Sequence, residues 1–257
     1  MSVQVTSLVR GIGGIGMLTA EVTKGLFTRK FQLREFIEQA WFITSVTLMP
    51  TILVSIPFGA VIALQIGGLT GQLGAQSFAG ATAVLAMVRE AAPIAAALII
   101  AGAAGSAICS DLGARKIREE IDAMEVLAVD PVTRLVVPRV VASLFVSVMI
   151  NGIVIATGIA GGYFFTVIVQ GGSAGAFLSS FTALVGLPDL WISMVKAAIF
   201  GFLAAIVGSY NGLRAAGGPS GVGRAVNESV IVAFMLLFVF NSLITAVYFE
   251  LVPQNGI

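Results

Sequence analysis

The chain has 257 residues, 58% of them hydrophobic and 11% charged, with a net charge of +1 and a mean hydropathy of +1.02. Soluble domains carry roughly 25% charged residues, so this chain lacks the charge to cover a water-exposed surface, and its near-neutral balance points to neither nucleic acid nor an acidic substrate. One cysteine, Cys109, and no histidine rule out an internal disulfide and argue against a zinc or copper site.

The N-terminal segment 1–40 carries Arg10, Lys24, Arg29, Lys30 and Arg34. Its apolar piece is short, glycine-rich and followed by charges, unlike a secretory signal. Leu33, Phe36, Ile37, Ala40 and Trp41 recur at helical spacing, with Arg34, Glu35 and Glu38 on the other side. That pattern predicts an interfacial helix bending into the membrane, in preference to a segment that simply begins the first span.

Residues 39–88 and 140–188 contain no charged side chain, and one span needs roughly 20 apolar residues. Five transmembrane helices are predicted, at about 41–65, 78–110, 135–170, 190–213 and 226–251. The fold class is therefore all-α, a polytopic membrane protein. Lys and Arg sort with the spans. They occur before the first, between the second and third (Arg115, Lys116, Arg118, Arg134, Arg139), and between the fourth and fifth (Arg214, Arg224). The other connections and the tail 252–257 have none. Basic loops stay in the cytoplasm, which predicts a cytoplasmic N-terminus and an external C-terminus in the cell membrane.

Small residues recur every four positions within the spans: Ala97, Ala101 and Gly105; Gly158 and Gly162; Ala197, Gly201, Ala205 and Ser209. Such stripes let helices approach closely in lipid. The predicted external loops are glycine-rich (Gly67, Gly68, Gly71, Gly74; Gly171, Gly172, Gly175) and uncharged. No internal repeat suggests an inverted-repeat transporter.

Charge concentrates between spans two and three, at Asp111, Arg115, Lys116, Arg118, Glu119, Glu120, Asp122, Glu125, Asp130, Arg134 and Arg139. A helix over about 114–129 would align Ile117, Ile121, Met124 and Ala128 in one apolar stripe. Its basic residues come first and its acidic ones later, opposite to the preference of the helix dipole. Spacing alone leaves open a docking surface and a solvated connecting helix. Asp130-Pro131 reads as an N-cap with proline at the first helical position, opening span three.

Arg89 and Glu90 fall inside span two, where a charge costs about 2.5–3.5 kcal/mol even on insertion scales. Lys196, in span four, is a candidate partner for Glu90. A structural ion pair and a role in transport both fit. Pro93, Pro50 and Pro57 permit kinks nearby. Residues 217–223 (GGPSGVG) lack the Lys-Ser/Thr ending of a phosphate loop and read as a tight turn. With no Walker motif, catalytic triad or metal constellation, the chain is expected to be no enzyme and to bind no cofactor.

Segments 101–108 (AGAAGSAI), 111–113 (DLG), 119–131 (EEIDAMEVLAVDP) and 137–140 (VPRV) closely resemble the signature of MlaE-type permeases, and 217–223 is similar to their second cytoplasmic turn. The resemblance covers about residues 36–251 and is closest to the YrbE subunits of actinobacterial Mce systems. It implies one permease domain over 41–251, the membrane subunit of an ABC transporter, working as a dimer with a cytoplasmic ATPase dimer that uses ATP and Mg. It further implies MCE-domain partners outside the membrane and a lipid substrate. The charged helix becomes the coupling helix, with Arg115, Arg118, Glu119, Glu120, Asp122 and Glu125 contacting the ATPase. Many relatives have arginine at the position of Ala103 and an acid at that of Asn241. The likeness to the YrbE branch, where two unlike permeases pair, implies a heterodimer whose second subunit supplies the missing charges or makes them unnecessary. By analogy, spans one, two and five wall an apolar cavity. The rivals are an ion-coupled secondary transporter using Arg89, Glu90 and Lys196, and a non-transporting scaffold.

Overall fold

The computed structural model describes residues 2–28, 32–74, 79–171, 173–175, 177–179 and 185–251. The tail 252–257, Arg29, Lys30 and Gly172 lie outside the described residues. No strand occurs among those described. In chain order the helices are α1 (Ser2–Thr28), α2 (Leu33–Gln72), α3 (Ala79–Ile117), the short α4 (Glu120–Val126), α5 (Val132–Val169), α6 (Leu187–Leu213) and α7 (Pro219–Leu251). Five of them, α2, α3, α5, α6 and α7, are long and apolar enough to cross a membrane. The protein is an all-α, multi-pass membrane protein.

The chain forms two compact units: Met1–Thr44, Ile100–Val146 and Phe200–Phe238 make unit 1, and Ser45–Ile99, Ser147–Ile199 and Val239–Ile257 make unit 2. Each of the five long helices contributes to both.

In unit 1, α3 and α6 pack backbone against backbone. A Cβ added at Gly208 would meet the Gly105 carbonyl at 2.6 Å, and one at Gly212 the Cys109 carbonyl at 2.7 Å. Dispersion contacts at that range replace the hydrophobic drive that lipid cannot supply. Around them Ile108, Leu112, Val136, Val140, Phe200 and Ile206 are buried. Helix α1 joins this unit through Leu18 and Val22, with Gly14 leaving room for Tyr210 and Gly25 for Val137 and Thr133. The sequence reading assigned no element there, and glycines 11, 13, 14 and 16 weaken helix propensity. Tertiary packing overrides that weakness.

In unit 2, α2 meets α5 at glycines. Gly59 and Gly158 leave no room for a side chain between them, and a Cβ at Gly161 would strike the Ile56 carbonyl. Helix α5 also bonds to α6: the Ser147 hydroxyl donates to the Ala197 carbonyl at 2.6 Å and Asn151 Nδ2 donates to Ser193 Oγ at 2.9 Å. The same spacing recurs in unit 1, where Ser143 donates to the Gly201 carbonyl at 2.9 Å. Val84, Val88 and Phe177 form an apolar core packed by Ile155, Ile159 and Tyr163.

Several expectations are corrected. Residues 33–41 are the first turns of α2, with no break before the apolar stretch. They form no separate helix, because nothing in LREFIEQAW interrupts the helical hydrogen bonds. Gly67, Gly68 and Gly71 lie in the last turns of α2, and of these four glycines Gly74 alone has a positive φ, +69°. The turn expected at 217–223 ends at Gly218 (φ +83°), and Pro219 opens α7, the helical position where its missing N–H costs nothing. The Asp130 cap forms, with Oδ1 accepting from the Val132 N–H at 3.1 Å and Oδ2 from the Thr133 hydroxyl.

The single helix expected over 114–129 is two. Helix α3 ends at Ile117, Glu119 adopts a left-handed conformation (φ 60°), and α4 runs only from Glu120 to Val126 before Ala128 (φ 58°) turns the chain again. The expected stripe is divided accordingly: Ile121 is buried, whereas Ile117 and Ala128 are exposed.

Candidate functional site

Two groups of charged residues stand out, one in each unit. In unit 2, α3 changes to π-helical winding at Met87–Ala91, shortly before Pro93. Proline has no N–H for the carbonyl four residues back, which is that of Arg89. Lys196 Nζ of α6 donates to this carbonyl at 3.2 Å, to Glu90 Oε1 at 2.8 Å and to Thr245 Oγ1 at 2.8 Å. The Lys196 side chain is 0% exposed and that of Glu90 34%. Asn241 Nδ2 donates to Glu90 Oε2 at 3.2 Å.

Arg89 turns to a different acid. Its Nε and Nη2 donate to Asp189 Oδ1 at 2.9 and 2.7 Å, and the Tyr248 hydroxyl donates to the same oxygen at 2.9 Å. Asp189 Oδ2 accepts from the Gly186 N–H at 3.0 Å. This is the reach-back bond of a capping box at the start of α6, where the helix dipole also favours a carboxylate. The Arg89 guanidinium lies over the rings of Tyr248 and Phe249, 5.3 and 5.4 Å from their centroids. Asn241, Thr245 and Tyr248 share one face of α7 by their i, i+4, i+7 spacing. Two ion pairs of opposite order thus join α3 to α6, and α7 covers them with polar side chains.

The sequence reading named Arg89, Glu90 and Lys196 but not Asp189, Thr245 or Tyr248. A signal for Asp189 was present: Pro188 and an acid at the start of an apolar run mark a helix N-terminus. Starting the span at 190 left Asp189 outside it.

In unit 1, Arg115, Arg118, Glu119, Glu120, Asp122 and Glu125 gather at the α3–α4 junction. Arg118 Nε bonds Glu120 Oε1 at 2.7 Å, and this bond raises the guanidinium pKa above its ordinary value, so the group stays charged. Lys116 pairs with Asp122, and Arg115 Nη1 lies 3.8 Å from Glu120 Oε2. Glu119 and Glu125 are exposed without an ion pair among the described residues. Beyond them Val126 is 87% and Leu127 74% exposed. The sequence reading missed Val126 and Leu127, because they lie off the stripe of an unbroken helix. Also in unit 1, an open groove of about 890 Å³ lies between α3 and α7, lined by Ala107, Ser110, Ala114, Val222 and Val226 among others.

In sequence, the chain is similar to known membrane-transport proteins. The family model described as permease MlaE matches residues 36–247. A probable ABC transporter permease protein of Rickettsia typhi is 33% identical over 192 residues, covering 75% of this chain and 74% of its own. A probable ABC transporter permease protein of Rickettsia felis is 30% identical over 244 residues, covering 94% and 93%. The chloroplastic protein trigalactosyldiacylglycerol 1 of Arabidopsis thaliana is 24% identical over 241 residues, covering 94% and 69%. The chain belongs to the MlaE permease family of ABC transporters.

Proposed function

We propose that this permease moves a lipid across the cell membrane, driven by a cytoplasmic ATPase dimer that docks on α4. The observation that carries the docking is the exposure of Val126 and Leu127 beside Glu119 and Glu125, which form no ion pair among the described residues. Apolar side chains next to these acids, held at a short helix between two left-handed residues, suit a groove with basic walls. ATP and Mg are bound by the ATPase, and the permease itself binds no cofactor. The sorting of Lys and Arg supports a cytoplasmic N-terminus and an external C-terminus.

A lipid substrate is supported by family membership, and by the lipid in the name of the Arabidopsis relative. The groove adds a largely apolar surface between the end of α3 and the start of α7, the two helices whose spans are expected to help wall the cavity. Extraction of an acyl chain costs roughly 0.8 kcal/mol per CH₂, so transport needs both such a surface and an energy source. The reading also includes a second, unlike permease and MCE-domain proteins outside the membrane.

The charges of unit 2 favour a structural clasp over an ion relay, since Arg89 and Glu90 each hold a partner of opposite sign. Co-purification with a co-expressed ATPase tests the docking. Wild type is expected to retain the ATPase, and Glu120→Lys and Glu125→Lys to lose it while remaining folded. Retention by both charge reversals would overturn the assignment.

A further inference from the structure

We propose that Arg139 is a positioning residue for coupling, acting through Asp111 and Arg115 to fix the angle at which α4 leaves α3. The inference rests on α4 being the surface that the ATPase moves. Only Arg118 and Glu119 connect the two helices, and Glu119 is left-handed. A two-residue link can swivel, so side chains must set the angle. Ile121 is one anchor, buried beneath α4. Another is a series of alternating charges that leads from α4 into α5.

The series starts at Glu120, the first residue of α4, with Arg115 Nη1 3.8 Å away. Arg115 Nε donates to both Asp111 oxygens, at 3.3 and 3.2 Å. Asp111 Oδ2 also accepts from Arg139 Nη2 at 2.6 Å. Arg139 is the fixed end: its side chain is 2% exposed, and Nη1 donates to the Leu135 carbonyl at 2.5 Å. A buried guanidinium keeps its charge and its fork geometry, and leaving it unpaired is costly. It therefore holds Asp111 in one place.

The step between Arg115 and Glu120 is the loosest, a charge contact longer than a hydrogen bond. It is the step that tightens or parts as α4 swings, while Asp111 and Arg139 move as one body. A displacement of α4 is thereby handed to α3 and to the start of α5 together. Interfaces with discrete arrangements convert small shifts into movements of whole elements in this way. Arg118–Glu120 and Lys116–Asp122 also cross the hinge, but neither leads onward to α5.

Hydrogen exchange on the complex with a co-expressed ATPase tests the series, comparing ADP with a non-hydrolysable ATP analogue. In wild type, exchange is expected to change at 120–126 and also at 132–139. Arg115→Gln breaks the series at a partly exposed residue without stranding Arg139. With ATPase in saturating excess, so that any weakened docking is offset, it is expected to show the change at 120–126 and lose the change at 132–139. Arg139→Lys, which keeps the charge but not the fork, is expected to reduce the change at 132–139 by about twofold or more. An undiminished change at 132–139 in Arg115→Gln overturns the proposal. So does a wild-type change that never reaches 132–139. A wild type that retains no ATPase sinks the docking assignment first, and this inference with it.

Discussion

Lys196 donates to the backbone carbonyl of Arg89 at 3.2 Å, and Pro93, four residues on from Arg89, has no N–H to offer that carbonyl. One ammonium thus fills a backbone vacancy made by proline and neutralises Glu90 beside it. The pairing explains how a lysine is tolerated with its side chain fully buried in a membrane-spanning helix.

Lys196→Met should therefore destabilise the protein through two groups at once, the Glu90 carboxylate and the Arg89 carbonyl. Breaking a buried pair costs about 3–5 kcal/mol, and the partial exposure of Glu90 favours the low end. Glu90→Gln combined with Lys196→Met should recover most of that loss, because no charge is then left alone. Thermal unfolding in detergent, followed by circular dichroism, would measure both; a double variant no better than the single would contradict this account.

Tyr248→Phe and Asp189→Asn separate a hydrogen bond from an ion pair. The phenol gives Asp189 one bond to a charged acceptor, worth about 1.5–3 kcal/mol. Asp189→Asn removes the counter-ion of Arg89 and weakens the cap of α6, so it should cost more than Tyr248→Phe. The reverse order in unfolding experiments would show that Arg89 draws its stabilisation from the rings of Tyr248 and Phe249.

Glycines that look alike in sequence should respond differently to alanine. At Gly59 a methyl group would meet the backbone of Gly158, and overpacking of this kind costs about 1–3 kcal/mol. At Gly152, also helical, nothing lies within 4 Å. Gly152→Ala should be neutral or stabilise by about 0.5–1 kcal/mol through helix propensity. Equal effects at the two positions would refute the close α2–α5 approach.

Val126→Asp and Leu127→Asp place a charge where water already reaches. Neither should shift the unfolding temperature appreciably, since exposed substitutions change stability by about 0.5 kcal/mol or less. Both should weaken ATPase retention in co-purification. A destabilised monomer with normal ATPase retention would mean that these side chains pack within the chain instead.

The five spans were legible because long charge-free runs and clustered Lys and Arg are one-dimensional signals. Their ends were less so: α2 extends past both predicted limits, since helical hydrogen bonding continues through glycine and polar residues once the flanking turns are in place. The residues of the charged cluster were half legible. Arg89, Glu90 and Lys196 announce themselves by being charged in apolar sequence, whereas Asp189, Thr245 and Tyr248 look ordinary until α6 and α7 are placed beside α3. At the α3–α4 junction the charge pattern suggested one continuous helix. No glycine or proline marks the break at Glu119, a residue that holds a left-handed conformation only because its surroundings impose it.

By itself, then, the sequence determined a multi-pass all-α membrane protein, its spans and its MlaE signature, because hydropathy and motif spacing are properties of the chain taken in order. Tertiary structure alone decided which charge meets which, Arg89 with Asp189, Glu90 with Lys196 and Asp111 with Arg139. It also decided that α4 turns away from α3 and leaves Val126 and Leu127 uncovered. Those choices depend on the rotation and depth of each helix against its neighbours. Close packing at small residues sets both, and no local pattern records them.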